Sequence, residues 1–556
     1  MAKGYRPVDR DQAFLFPADM REWLAPDHPV WLVIKVVEDH LDTSAFHAGR
    51  KTGGAGTAGY DPDMLVTVLV WAYAQGVTSS RRIEALCATD VAFRVICAGN
   101  LPDHVTVARF RGGFAGPIAV FFAEVLALCA RLGMGKLGTV ALDGMKITAS
   151  ASKAANRTEG KLAKLAEDAV AAHAAADAAE DDLFGAQARG DEVPEDAWRP
   201  GRRDERIAAA LAGLRAERAA AEAERQKMEQ GHLDAAAAGK PKQGRYPAGA
   251  AVELARMKVA RARAAQQVKV EDWQARTAAS LAATGRPLRS RRPVAADGCI
   301  RVRQAVAKLE KVQARAAAAG RAATRSKATG QGPGPVRNIT DPDSRLMPVR
   351  GGGFIQGYNA QNMTSEDELI IATELTDDQV DCPWFEPMLA RAQQAAALID
   401  AHRPAARPGP GPAGPGPGIG MVLADAGYCS EANLTSPGPD RLIAVGKHRD
   451  LGKAARGQQA GRNWAGPATI VMAERLKTQA GLAAYRRRGH IAETPHGHIK
   501  HNMGFRQLTM RGKPKAAAEW AFTCAVHNLF KAINTGHLTS QALAALAGTP
   551  TCPATQ

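Results

Sequence analysis

The chain has 556 residues, of which 46% are hydrophobic and 5% aromatic, a length that allows roughly three to four domains. It contains no run of about 18 or more apolar residues, so a transmembrane helix is not expected, and its charged first residues lack the apolar segment of a secretory signal. The eight cysteines form no C-x-x-C pair, which argues against a disulfide framework and a thiolate zinc site. This cysteine usage fits a reducing cytoplasm.

The positive charge is concentrated in one part of the chain. Lys and Arg number 72 against 56 Asp and Glu, a net charge of +16. Residues 1–140 contain 14 basic and 14 acidic side chains, whereas residues 240–337 contain 22 basic and five acidic ones, a net charge of +17. This local excess predicts contact with a polyanion such as nucleic acid. The alternative is a solvated, arginine-rich linker.

Three helix starts are predicted within the first 135 residues, because a capping side chain or a proline precedes each helical segment. The third helix begins at His104 and contains Arg109 and Arg111. Short helices of which the last is basic favour a helix-turn-helix arrangement, with both arginines reaching DNA. In the alternative, a helical packing domain, these arginines would make internal contacts. The three signals are Asp61-Pro62, Ser79-Ser80 and Pro102-Asp103.

The rest of the chain mixes strand and helix signals. A short β-prone run, Val140 to Leu142, ends at Asp143, and residues 157–232 have the alanine-rich composition of a long helical hairpin. Further strands are predicted at 353–359, 369–375, 419–424 and 441–445, and further helices at 383–399, 471–485 and 516–533. Breaker clusters occur at 330–335 and in the Pro/Gly segment 404–418.

Two acids each follow a predicted strand, and a third lies in a basic segment. Asp143 ends VALD, Asp425 ends VLAD, and Glu493 is the only acid between Glu474 and Glu519. A lone aspartate at a strand end is usually a turn or cap, but three convergent carboxylates need a cation to coexist at neutral pH. Oxygen-only ligands select Mg²⁺ or Mn²⁺. Four nearby histidines, 490, 496, 498 and 501, have no cysteine partner, so contact with phosphate or solvent is favoured over zinc.

Several blocks of this sequence resemble the DDE transposases of bacterial insertion sequences. They occur in the family's order and cover most of the chain outside residues 157–335. The blocks are YDPDMLVTVLVWAYAQGVTSSRRIE (60–84), LPDHVTVARFR (101–111), LDGMKITASASK (142–153), GYNAQN (357–362), LADAGYCSEANL (423–434) and the segment 485–500.

The resemblance implies a fold and an activity. The expected catalytic domain is an α/β, ribonuclease-H-like mixed sheet, joined to an all-α N-terminal DNA-binding domain and a helical insertion. Asp143, Asp425 and Glu493 would be the catalytic residues and would bind Mg²⁺ or Mn²⁺, two ions in all. The expected reaction is cleavage and strand transfer of double-stranded DNA at terminal inverted repeats and target. The implied assembly is a homodimer or larger, in the bacterial cytoplasm at the nucleoid and without a membrane.

The resemblance also implies domain boundaries. The DNA-binding domain would cover residues 1–135, and the catalytic domain 136–156 plus 336–515. The basic insertion would cover 157–335, leaving a C-terminal helix and tail at 516–556. We expect the insertion to leave and re-enter the catalytic domain at one edge. Its residues 240–337, which contain only two aromatics, should then contact the DNA backbone rather than stack on bases.

One departure from the family pattern affects the DNA-binding residues. A related group of transposases shows Y-x₂-R-x₃-E-x₆-K. Here Tyr485, Arg488, Glu493 and Lys500 match in type, but four residues separate the arginine from the glutamate. Tyr485, Arg488 and Lys500 are therefore candidate DNA contacts, but the four residues between Arg488 and Glu493 interrupt the spacing of the family pattern. The alternative function is a domesticated or inactive transposase that binds DNA without cutting it.

Overall fold

The computed structural model describes residues 19–48, 59–184, 202–238, 248–329, 335–349, 351–404, 418–446, 451–457, 459–460, 463–464 and 466–547. The chain forms two compact units, which we call unit 1 (Met1–Asn156 with Asn338–Gln556) and unit 2 (Arg157–Arg337). The predicted breakers at 330–335 and 404–418 lie almost entirely outside the described residues. Within the described ranges, no helix has both the length and the apolarity to cross a membrane.

Unit 1 begins with helices, as the capping signals predict. Asp61 accepts a hydrogen bond from the Asp63 amide at 2.7 Å, and Asp103 accepts one from the Thr106 amide at 2.7 Å, so each aspartate starts its helix. The helices, numbered here in chain order through the molecule, are α1 (Pro29–Asp39), α2 (Ser44–His47), α3 (Pro62–Ala74), α4 (Ser80–Thr89), α5 (Val91–Cys97), α6 (His104–Gly112) and α7 (Ile118–Arg131).

A mixed sheet follows, which confirms the expected α/β architecture. Its strands are β1 (Thr139–Thr148), β4 (Arg345–Pro348), β5 (Phe354–Ser365), β6 (Ile370–Thr376), β7 (Met421–Ala424) and β8 (Asp440–Ile443). The order is β4-β5-β1-β7-β8, with β6 also paired to β5. β1 is antiparallel to β5 and parallel to β7, and β7 is parallel to β8.

Strand β1 is longer than the sequence predicts. We expected it to end at Asp143, but it continues to Thr148 because β5 pairs with it from Val140 to Thr148. The neighbouring β7 ends at Ala424, opposite Leu142. Asp143 is therefore in the middle of a strand, at the level where the adjacent strand stops.

Helices cover the sheet and complete unit 1. The predicted helix at 471–485 is in fact two helices, because Thr478 has an extended backbone and caps the second by accepting from the Gly481 amide at 3.0 Å. The helices are α12 (Phe385–His402), α13 (Glu431–Thr435), α14 (Leu451–Ala455), α15 (Pro467–Lys477), α16 (Gln479–Arg488), α17 (Thr494–Gly497), α18 (Lys513–Asn534) and α19 (Ser540–Ala547). Two short strands, β9 (Gln459–Ala460) and β10 (Asn463–Trp464), pair with each other.

Unit 2 consists mainly of long helices, as its alanine-rich composition predicts. At its ends, strand β2 (Asn156–Thr158) pairs with strand β3 (Val336–Asn338). Arg218 forms an ion pair with Glu159 at 3.3 Å, which joins the second helix to the start of the first. The helices are α8 (Glu159–Phe184), α9 (Arg202–Ala237), α10 (Ala248–Thr284) and α11 (Ile300–Thr329).

Candidate active site

Two of the three predicted carboxylates lie side by side in the sheet. β1 and β7 are parallel, with Leu142 opposite Ala424, so Asp143 on β1 follows in register with Asp425, the residue directly after β7. Asp425 accepts a hydrogen bond from the Gly427 amide at 2.8 Å and so caps a single 3₁₀ turn. The carboxyl end of β7 thus brings together two acids that 281 residues separate in the sequence.

The third acid is joined to the first through an arginine. Arg488 Nη1 lies 3.6 Å from Asp143 Oδ1, and Arg488 Nη2 lies 3.7 Å from Glu493 Oε1. A single guanidinium fork therefore lies between the two carboxylates. The Arg488 side chain is 16% exposed and that of Glu493 is 64% exposed, so the arginine is inside the cluster and the glutamate at its rim.

The unusual spacing between Arg488 and Glu493 has a structural explanation. Gly489–Glu493 forms a π-helical turn directly after α16, and a second π-turn covers His498–Asn502. A π-turn takes up one residue more than an α-turn, and such turns are frequent at functional sites. The extra residue is absorbed there, so Arg488 and Glu493 remain one turn apart.

The element after this turn is α17, whose N-cap is Glu493 and whose first turn contains Pro495. Pro495 predicts a helix start next to Glu493, but the helical backbone is continuous from Gln479 to Asn502. Proline has no N–H to donate within a helix, and irregular turns on either side accommodate that loss. Glu493 therefore lies at the N-terminus of α17, as Pro495 predicts, within a helical backbone that continues on both sides.

Electrostatics in the cluster favour a cation. Burial, together with the nearby negative charges of Asp425 and Glu493, raises the pKa of the Asp143 carboxyl to about 6 against the opposing effect of Arg488. Three carboxylates are thus close enough to influence one another, and one arginine does not neutralise them. Their ligand atoms are all oxygens, the donor set that Mg²⁺ and Mn²⁺ prefer.

The remaining predicted residues of this segment surround Asp143. Burial raises the pKa of the Tyr485 phenol, and the adjacent Arg488 opposes that rise. Burial lowers the pKa of Lys500, and the charge of Asp143 opposes that change. Within the described part of the chain, Arg488 Nη1 is a buried donor without a hydrogen-bond acceptor. A phosphate oxygen is the acceptor that such a guanidinium suits best.

Of the four histidines, His496 is the one beside the acids. It is 8% exposed, its Nδ1 lies 3.8 Å from Asp143 Oδ2, and its Nε2 lies 3.1 Å from the Asn362 amide nitrogen. Burial lowers the pKa of His496 to about 4, so its ring is neutral at pH 7. His490 pairs with Glu368 at 3.0 Å, and His498 contacts His527 at 3.0 Å.

Sequence reasoning missed a fourth acid at this edge of the sheet. Asp381 Oδ1 accepts hydrogen bonds from Lys146 at 3.2 Å, Asn359 at 2.7 Å and Gln361 at 2.8 Å. Nothing in the local sequence separates Asp381 from Asp377 and Asp378, because the loop after β6 contains all three. Only the pairing of β1 with β5 brings its partners together.

Two glycines next to the catalytic candidates make room for Asp381. A Cβ on Gly144 would lie 2.6 Å from Asp381 Oδ1, and one on Gly427 would lie 3.2 Å from Asp381 Oδ2. The same Gly427 position is 2.9 Å from Asp425 Oδ1. Asp381 is thus packed against the backbone that follows Asp143 and Asp425.

The two arginines of α6 have different environments. Arg109 is exposed, whereas Arg111 is 7% exposed and donates from Nη1 to the Tyr73 hydroxyl at 3.2 Å and to the Thr78 carbonyl at 2.5 Å. Arg111 therefore makes the internal contacts of the packing alternative, because its Nη1 donates to groups within the protein. DNA contact by α6 stays a prediction for Arg109.

A compact group of possible metal ligands occurs elsewhere. Among the described residues, only His47, Asp61 and Asp63 offer three ligand atoms that all lie within 4.8 Å of one another. Asp61 is already the cap of α3, and His47 pairs with Asp63 at 2.9 Å. The three carboxylates around Arg488 are spaced more widely than this group.

Comparison with known proteins supports the same family. Residues 18–113 match a transposase domain (DUF772), and residues 451–533 match a transposase DDE domain. These matches support a DDE transposase of an insertion element. The second match includes Glu493 and ends within α18, and the first ends within one residue of α6. No match was found among curated proteins or solved structures.

Proposed function

We propose that this transposase binds the terminal inverted repeats of its element and catalyses metal-dependent DNA cleavage and strand transfer. The observation that carries the proposal is the approach of Asp143 to Asp425 on adjacent parallel strands, with Glu493 on the far side of Arg488. A six-stranded sheet in which β1 is antiparallel to β5 and parallel to β7 is compatible with a ribonuclease-H-like domain.

The three carboxylates fit a divalent cation, since clustered like charges and oxygen donors both call for one. Asp143, Asp425 and Glu493 would hold it. When bound, a pair of Mg²⁺ or Mn²⁺ ions supplies activation of the attacking oxygen and stabilisation of the leaving oxygen of a phosphodiester.

The neighbouring side chains would hold the DNA. Arg488 would donate to a phosphate oxygen, because its buried Nη1 has no acceptor among the described residues. Tyr485 would keep the guanidinium in place, and Lys500 would supply a second positive charge near Asp143. Arg109 on α6 would contact the terminal repeat.

Cleavage of element ends tests this proposal. We expect Mg²⁺- or Mn²⁺-dependent nicking of DNA that carries the terminal repeats, and loss of at least about a thousandfold in rate for Asp143→Asn, Asp425→Asn and Glu493→Gln, with DNA binding retained. The matched control is Glu474→Gln, another exposed glutamate of the same region, which should cleave at the wild-type rate. Cleavage that survives in Asp425→Asn would show that the assignment is wrong.

The alternative is a domesticated or inactive transposase that binds DNA without cutting it. It predicts terminal-repeat binding with no metal-dependent product. The proposed insertion-sequence transposase, in contrast, should be encoded by a gene flanked by short inverted repeats. It should form a homodimer or larger assembly on paired ends and act at the nucleoid in the bacterial cytoplasm. Sedimentation with and without end DNA measures the assembly.

Binding of the ends tests the role of α6. We expect Arg109→Ala to weaken affinity for the terminal repeat by about tenfold, as the loss of one base or phosphate contact does. Arg21→Ala, which removes another highly exposed N-terminal arginine, is the control and should leave affinity unchanged. Equal affinities of Arg109→Ala and wild type would leave α6 as a packing helix.

A further inference from the structure

The connection between α10 and α11 carries a dense group of arginines. Arg286, Arg289, Arg291 and Arg292 lie within seven residues, and all four are exposed. Asp297 is the only acid of the connection, and it is paired with Arg263 on α10 at 3.3 Å. We call residues 286–297 the arginine strap. Its charge is therefore almost entirely positive.

The strap is fixed along the surface of α10. Three α10 side chains hold its backbone carbonyls: Ser280 donates to Arg286 at 3.0 Å, Trp273 to Ser290 at 3.2 Å and Gln266 to Val294 at 2.8 Å. These three donors are seven residues apart, which is about two helical turns, so they lie on one face of α10. The strap thus runs back along the helix in the opposite direction.

This anchoring holds the arginines in place before any partner binds. The carbonyl hydrogen bonds fix the backbone on both sides of Arg289, Arg291 and Arg292, and Pro287 and Pro293 restrict it further. A preorganised surface loses less conformational entropy on binding than a mobile loop does. A merely solvated linker does not require such anchoring.

The strap arginines also lack internal counterions. Within the described part of the chain, none of the four lies within 4.0 Å of an acidic group. Arginines elsewhere in unit 2 do have such partners, for example Arg225 with Glu222 at 3.0 Å and Arg256 with Glu253 at 3.2 Å. Several arginines on the helices of unit 2 are thus paired, whereas those of the strap are available for an external anion.

We propose that the arginine strap binds the phosphate backbone of duplex DNA without reading its sequence. Arginine forks suit phosphate oxygens, and such contacts add affinity that is independent of sequence. Stacking on single-stranded bases needs exposed aromatic rings, whereas Trp273, the aromatic residue at the strap, uses its indole N–H to hold the backbone. The choice of duplex DNA as the anion rests on the proposed function.

The salt dependence of binding tests the strap. The full chain is titrated with a random-sequence duplex in EDTA, which prevents cleavage, between about 50 and 200 mM salt. Replacing Arg286, Arg289, Arg291 and Arg292 with glutamine should make the slope of log affinity against log salt less steep by about 3 to 4, since each phosphate contact contributes about 0.9. The corresponding four lysine substitutions should restore most of the slope.

The control removes the same charge from paired arginines of unit 2. Arg215, Arg218, Arg225 and Arg256 are similarly exposed and have acidic partners, and their replacement with glutamine should leave the slope within about one of wild type. An unchanged slope in the strap variant, an equal loss in the control, or stronger strap-dependent binding of an RNA duplex than of DNA would overturn the proposal. Circular dichroism verifies that both variants are folded.

Cleavage of element ends at low salt separates this proposal from the proposed function. A strap variant that cleaves normally but shows the smaller slope supports both. If the wild type binds random DNA through the strap yet never cleaves element ends, the strap is retained and the catalytic proposal fails. If cleavage proceeds and the strap variant keeps the full slope, only the strap proposal fails.

Discussion

At the scale of single residues, we assign a role to Asp381, which lies next to the candidate active site. Asp381 touches the backbone after both Asp143 and Asp425 and accepts hydrogen bonds from strands β1 and β5. A carboxylate in this position would orient the strands that present the proposed metal-binding acids. It is a positioning residue, because its hydrogen-bonding oxygen is occupied by protein donors.

Substitution of Asp381 tests that role. Asp381→Asn should lower the cleavage rate about 10- to 100-fold, the usual range for groups that support metal ligands, and should raise the Mg²⁺ or Mn²⁺ concentration for half-maximal activity. DNA affinity in EDTA should not change. The control is Asp377→Asn, a substitution in the same loop whose acid pairs instead with Arg345 and Lys513. A metal requirement identical to that of wild type would exclude a positioning role.

At the scale of elements, the π-turn at Gly489–Glu493 preserves the relation between Arg488 and Glu493. An α-turn with three intervening residues and a π-turn with four both bring an arginine and a glutamate one turn apart. The irregular turn is thus a local adjustment of an otherwise continuous helix, and it keeps the residues before it in phase with those after it.

Changing the length of this turn tests the argument. Deletion of Gly489 should convert the π-turn into an α-turn and keep cleavage within about tenfold of wild type. Insertion of one alanine after Gly489 should rotate Arg488 away from Glu493 and reduce cleavage at least about a hundredfold. If the deletion is as damaging as the insertion, the extra residue has a role beyond spacing.

At the scale of the whole molecule, helix α18 makes buried hydrogen bonds to both the N-terminal helices and the sheet region of unit 1. Glu519 is 1% exposed and accepts hydrogen bonds from the Tyr73 hydroxyl at 2.7 Å and the Thr509 amide at 2.8 Å. Two turns further on, His527 is 1% exposed, and its Nε2 lies 3.2 Å from the Glu368 carbonyl. Residues distant in sequence thus meet on one helix.

The buried His527 predicts loss of stability in acid. Burial, together with the neighbouring His498, lowers its pKa from 6.5 to about 3. The folded state disfavours protonation of His527, so the neutral histidine contributes to the free energy of unfolding. This contribution is complete above pH 6.5 and declines as the pH falls from 6.5 towards 3. At about pH 5 the free energy of unfolding should be lower by on the order of 2 kcal/mol.

Chemical denaturation at about pH 7.5 and pH 5 measures this effect for wild type and His527→Gln. The loss between the two pH values should be smaller in the variant, because glutamine does not titrate. His537→Gln is the control, since this exposed histidine should not alter the difference. Equal pH dependence in wild type and His527→Gln would contradict the prediction.

The sequence by itself determined most of the helices and strands, and it made three acids candidates for the site. Caps such as Asp61 and Asp103 act within a few residues, and the strand pairs and the helical insertion follow from local periodicity. The resemblance to DDE transposases, which the family matches support, adds Asp143, Asp425 and Glu493 as candidates.

Only the tertiary structure decided the features that depend on distant partners. Pairing with β5 carries β1 beyond Asp143, and packing around Tyr73 buries Arg111 although its helix looks basic. Asp381 joins the site through side chains of two other segments, and the π-turn is a property of the backbone that residue types do not reveal. Local patterns specify local structure, whereas burial and long-range hydrogen bonds are fixed only when the whole chain is folded.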